Sequence, residues 1–163
     1  MEFIINPDEA METYFYHRTV LFSLIMMNLF FELFLTIYIY RNKEYMVLQL
    51  NQLYRGNEYN KLLNLVETTT ILNLIFNLFQ YFFGFYTIAS NKVTNYNCFN
   101  ILMVMSIFFR CLLTYLNTMN LFMLVLKGLT LVYSKFVVSL LISVLIMPPV
   151  RNNSEVLDDE NNS

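Results

Sequence analysis

Glu32, Arg110, Lys127 and Lys135 are the side chains whose chemistry most needs explaining, because each falls inside an apolar run long enough to span hydrocarbon. An ionised group at the middle of such a run costs about 2.5 to 3.5 kcal/mol to place. It is retained when it meets an opposite charge, faces water, or snorkels to the surface. One central acid and deep bases call for mutual neutralisation, and the expected pairing is Glu32 with Arg110 or Lys135. Arg110 can grip a carboxylate with a bidentate fork, which a lysine cannot. Lys127, about two turns into its run, is expected to snorkel. Glu67 lies near the start of its own run and is expected to reach headgroups. Asn73, Asn77 and Gln80 recur at i, i+4 and i+7, which sets them on one helix face suited to interhelical hydrogen bonds. Ser134 offers a further partner.

Such a polar seam has two possible uses. It can fix how the helices pair, or dock them onto a partner protein. It can instead line a path for protons, ions or solutes. Four short spans with no repeated half and no interrupted helix are a small container for a private path, so the structural use is expected.

Other chemistries lack their parts. Nucleophilic catalysis needs a base beside its nucleophile, and the single histidine, His17, lies among polar residues just before the first run. One histidine with Cys98 and Cys111 cannot assemble a structural zinc site. Gly56, Gly84 and Gly128 are isolated, so no phosphate-cradling loop forms. A net charge of −2 with no basic face argues against nucleic acid. The expectation is therefore no catalysis, no cofactor, no bound metal and no small-molecule substrate. The partners expected are a lipid bilayer and other membrane proteins of a larger assembly.

The elements that must position these groups follow from the apolar runs. Of 163 residues, 57% are hydrophobic and only 13% charged, which falls outside the usual soluble range. The hydropathy predicts spans at about Val20–Tyr40, Leu63–Ile88, Cys98–Leu116 and Leu121–Met147, the last stopped by Pro148 and Pro149. Short polar turns join the second span to the third and the third to the fourth, so adjacent spans pack as antiparallel neighbours. The fold expected over residues 20–147 is an all-α, integral membrane, antiparallel four-helix bundle with short loops. Residues 1–19 form a polar N-terminal segment whose acids, Glu2, Asp8, Glu9 and Glu12, argue against a cleaved secretory or mitochondrial leader. Residues 148–163 read as a disordered acidic tail. In the longest connection, Met46, Val47, Leu50, Leu53 and Tyr54 recur at helical spacing. Residues 45–54 are thus either a short interfacial helix or, in the plainer reading, a continuation of the first span or an irregular loop.

Leu29-Phe30-Phe31-Glu32-Leu33-Phe34-Leu35 in the first span, and Phe79-Gln80-Tyr81-Phe82-Phe83-Gly84 late in the second, resemble a known group. They are similar to the small four-span proteins of the ciliary transition zone, the transmembrane-17 family and the related transmembrane protein 138. Many members of that family carry Glu and Arg late in the second span and a Gly-Asn-Leu beyond it. This chain has Asn77, Gln80 and then Ala89-Ser90-Asn91. The resemblance implies a non-catalytic scaffold at the ciliary gate, acting in cilium assembly, with both termini cytosolic. An accessory subunit of a large complex, such as one of the respiratory chain in the mitochondrial inner membrane, has the same physics. A small transporter or channel subunit is the third alternative.

Overall fold

The structure, a computed structural model, describes residues 7–54, 59–114 and 119–146. The described residues form four α-helices: α1 (Pro7–Tyr54), α2 (Tyr59–Ser90), α3 (Val93–Thr114) and α4 (Met119–Ile146). Among the described residues there is no strand. α1 opens at Pro7, and Glu9 lies in its first turn, where the helix dipole favours an acid. The residues called an N-terminal segment thus belong to α1 from Pro7 onward. Residues 1–6 and the expected acidic tail, 148–163, lie outside the described residues.

The register is read from contacts between helices. Tyr14 pairs with Asn91, Glu32 with Asn73 and Lys43 with Glu67, so α2 descends as α1 rises. Gln80 meets Met103 while Asn77 meets Ser106, which makes α3 antiparallel to α2. Phe31 packs on Phe122 and His17 on Phe136, which sets α4 antiparallel to α1. Backbones come close between α1 and α2, α2 and α3, α3 and α4, and α4 and α1, while the diagonal pairs meet only through long side chains that reach across the ring. The helices close into a four-membered ring.

The α2–α3 turn is fixed by its own chemistry. Asn91 takes a left-handed backbone at φ 50°, a conformation that asparagine tolerates better than most residues and that ends helices. Its Oδ1 accepts a hydrogen bond from the Tyr14 hydroxyl at 2.9 Å, tying the turn to α1. Asn95 Nδ2 donates to Ser90 Oγ across the turn at 2.7 Å, and the Lys92 carbonyl accepts from the amides of Asn95 and Tyr96.

Three described helices carry segments long and apolar enough to cross a membrane: Glu9–Leu48, Tyr59–Ser90 and Leu121–Ile146. The expected third span, Cys98–Leu116, falls in α3 and runs past the described residues. Asn95, Asn97, Asn100, Ser106 and Arg110 are the polar residues along its inner and outer faces. Of the readings open for residues 45–54, continuation of the first helix holds. They are the last turns of an unbroken α1 and not a separate interfacial helix. At 48 residues, α1 is about 72 Å long, more than twice the roughly 30 Å of hydrocarbon. Lys43 and Glu67 form an ion pair where α1 and α2 run on past the ends of α3 and α4.

Packing divides the interior in two. Tyr14, Leu21, Ile25, Tyr81, Ile88, Tyr96, Phe99, Met103, Val137, Val138 and Leu141 form an apolar core toward the Asn91 end. Gly84 sits where α1, α2 and α3 approach most closely: a Cβ there would meet Phe99 at 2.7 Å and Ile25 at 3.1 Å. Toward the other end the interior turns polar.

Candidate functional site: a buried charged seam

Each helix sends a seam of residues inward at alternating three- and four-residue steps. In α4 the buried positions include Met123, Lys127, Thr130, Ser134, Val137 and Leu141; in α3 they include Tyr96, Phe99, Met103, Ser106 and Arg110. In α1 they include Leu21, Ile25, Asn28, Glu32 and Leu35. This is the spacing that keeps one stripe facing its neighbours along a helix pair. The seam positions between Asn28 and Leu35, and their partners on the other helices, carry most of the polar groups.

Glu32 is the hub. It is 1% exposed and accepts from Arg110, also 1% exposed, in a direct ion pair. Asn73 Nδ2 donates to Glu32 Oε1 at 3.0 Å. Lys127, wholly buried, places its Nζ 3.7 Å from Glu32 Oε2. The same ammonium donates to Asn77 Oδ1 at 2.6 Å and to Ser106 Oγ, while Ser106 donates in turn to Asn77 at 2.8 Å. The Tyr81 ring lies 5.5 Å from Lys127 Nζ, within the range of a cation–π contact. One turn along α1, Asn28 Nδ2 donates to Thr130 Oγ1 at 2.7 Å. Four helices thus meet at one carboxylate and two cations, leaving one formal positive charge inside the ring.

Of the residues singled out from the sequence, Glu32, Asn73, Asn77 and Arg110 come together in this network. Gln80 is buried beside it and donates to the Met103 sulfur. The two lysines exchange the places expected of them. Lys127 does not snorkel but completes the cluster, and Lys135 is exposed on the outside of α4. The reason is helical phase. Lys127 and Ser134 are seven residues apart and share the inward face, so Lys135, one position on, is rotated about 100° away from it. Glu67 is partly exposed, as an interfacial acid would be, and its partner is Lys43. Asn28, Ser106 and Thr130 were not singled out; each stands three or four residues from a buried charge on its own helix, and that register was the available signal.

The chemistry this arrangement permits is electrostatic. Arg110 and Glu32 neutralise each other, and the Lys127 ammonium has three oxygens around it. Among the described residues, no three His, Cys, Asp or Glu side chains are placed to share a metal ion. Cys98 and Cys111 are free and exposed. No family model, curated protein or solved structure matches this chain.

Proposed function

We propose that this chain is an integral membrane protein whose bundle serves as an assembly unit, held in one helix arrangement by the Glu32–Arg110–Lys127 seam. The carrying observation is the inverted distribution of polarity. Charged and amide side chains occupy one half of the interior, while large apolar side chains cover the outside of every helix. Phe30 is 68% exposed, Phe82 65%, Phe108 62% and Val132 69%. Water penalises such a surface; hydrocarbon does not. Where the outside gains nothing by associating, buried polar contacts and close packing select the partner helix.

Alkaline carbonate extraction of native membranes tests the reading. The chain stays in the pellet if it spans the bilayer and is released if it is peripheral. The resemblance of the Leu29–Leu35 and Phe79–Gly84 segments to ciliary transition-zone proteins supports a scaffold role in the membrane at the cilium base. There the apolar outer faces would meet other membrane proteins. Imaging of a tagged chain checks this: a ring at the cilium base is expected, and a mitochondrial network would favour the respiratory accessory-subunit reading instead.

A further inference from the structure

Lys135 is the charge that the seam leaves unused. It is exposed on α4, on the rim of an open groove of about 580 Å³ between α3 and α4, whose walls include Asn97, Ile101, Val104 and Val138. We propose that this groove binds one anionic phospholipid, with its phosphate on Lys135 and Asn97 and an acyl chain along Ile101 and Val104.

Three observations carry the proposal, which rests on the membrane reading above. The first is charge. Neither α3 nor α4 contains an acidic residue, and no described carboxylate lies within ion-pair reach of Lys135. The ammonium of a lysine on an outward apolar face is accommodated where it meets an anion or water. The second is depth. Phe136, the next residue, packs on His17, and Asn97 lies four residues, about 6 Å, beyond the start of α3. Lys135 and Asn97 therefore lie about one helical turn in from the polar Asn91–Lys92 turn, a depth from which a lysine ammonium reaches headgroups. The third is shape. From that level the groove passes Ile101 and Val104, 62% and 52% exposed, so a polar rim leads onto an apolar wall. That sequence of surfaces matches a phosphate followed by a chain.

Native mass spectrometry of the full-length, delipidated chain tests the proposal, with phosphatidylglycerol compared against phosphatidylcholine of the same acyl chains. Phosphatidylglycerol is expected to bind preferentially. Lys135→Gln is expected to weaken it about fivefold, with phosphatidylcholine unaffected. Lys135→Arg should retain the preference. Equal binding of the two lipids, or a Lys135→Gln variant indistinguishable from wild type, overturns the site. So does a Lys135-dependent complex with a co-purifying membrane protein in the absence of lipid preference, which would assign the groove to a partner helix. Carbonate extraction separates the two levels. A chain released by carbonate sinks the membrane reading, whereas a chain retained without lipid preference sinks the lipid site alone.

Discussion

Replacing Glu32 with Gln keeps the shape of the seam and removes its only described carboxylate. The amide oxygen can still accept from Asn73 and Arg110, so the hydrogen-bond geometry changes little. The charge balance changes a great deal, because Arg110 and Lys127 then face each other in the interior with no anion between them. Removing one partner of a buried ion pair typically costs about 3 to 5 kcal/mol, mostly for the charge left behind. At about 2 to 4 °C per kcal/mol for chains of this length, the melting temperature should fall by roughly 10 °C. Lys127→Met is the matched comparison. It leaves a neutral Glu32–Arg110 pair, and Asn77 and Ser106 still bond each other, so its cost should be clearly smaller. The assay is thermal unfolding of purified protein in mild detergent, followed by far-UV circular dichroism, since the chain has no tryptophan to report fluorescence. A Glu32→Gln variant that melts within about 1 °C of wild type would refute the charge-balance reasoning, and so would one that outlasts Lys127→Met. A double-mutant cycle between Glu32 and Arg110 should return a coupling of about 2 kcal/mol.

Other perturbations have equally definite outcomes. Gly84→Val should destabilise by about 2 kcal/mol, because its branches extend a Cβ already pressed on Phe99 and Ile25; an unchanged melting temperature would show that α2 can move away. Lys43→Gln removes a solvent-screened ion pair and should leave the melting temperature nearly unchanged in the same melts; a loss as large as that of Glu32→Gln would refute this. Lys135→Gln should leave the melting temperature unchanged in detergent, in contrast to Lys127→Met, because Lys135 lies outside the ring; a loss equal to that of Lys127→Met would place it inside.

Much of this architecture was legible in the sequence because length and apolarity act over whole helices. The runs around Val20–Tyr40 and Leu121–Met147 place α1 and α4, and the acid–base count leaves Glu32 to pair with Arg110 or Lys135, of which Arg110 is the partner found. The extent of α1 was open, since Met46, Val47 and Leu50 suit an interfacial helix and a continuing one equally; packing resolves it, with Val47 wholly buried. The choice between Lys127 and Lys135 was misread for a different reason. Both faces of α4 are apolar, so hydrophobicity has no periodicity to show which side points inward. The phase is carried by small polar residues instead, Thr130 and Ser134 standing three and seven positions from Lys127. Depth from the helix end is a weaker guide to burial than rotational phase. In α3 the polar residues lie near both ends, and the helix completes the ring.

The central claim is that the apolar outer faces meet lipid while the charged seam lies inside. Spin labels at single cysteines introduced at Val104, Phe108 and Val132, in a background lacking Cys98 and Cys111 and reconstituted into nanodiscs, test it most directly. All three positions are exposed on the protein surface, so accessibility reports what surrounds the bundle. Collisions with oxygen, which partitions into hydrocarbon, should be frequent, and collisions with a water-soluble nickel chelate rare. The opposite ratio, with the chelate reaching these sites freely, would mean that the faces are bathed in water and would contradict the membrane reading.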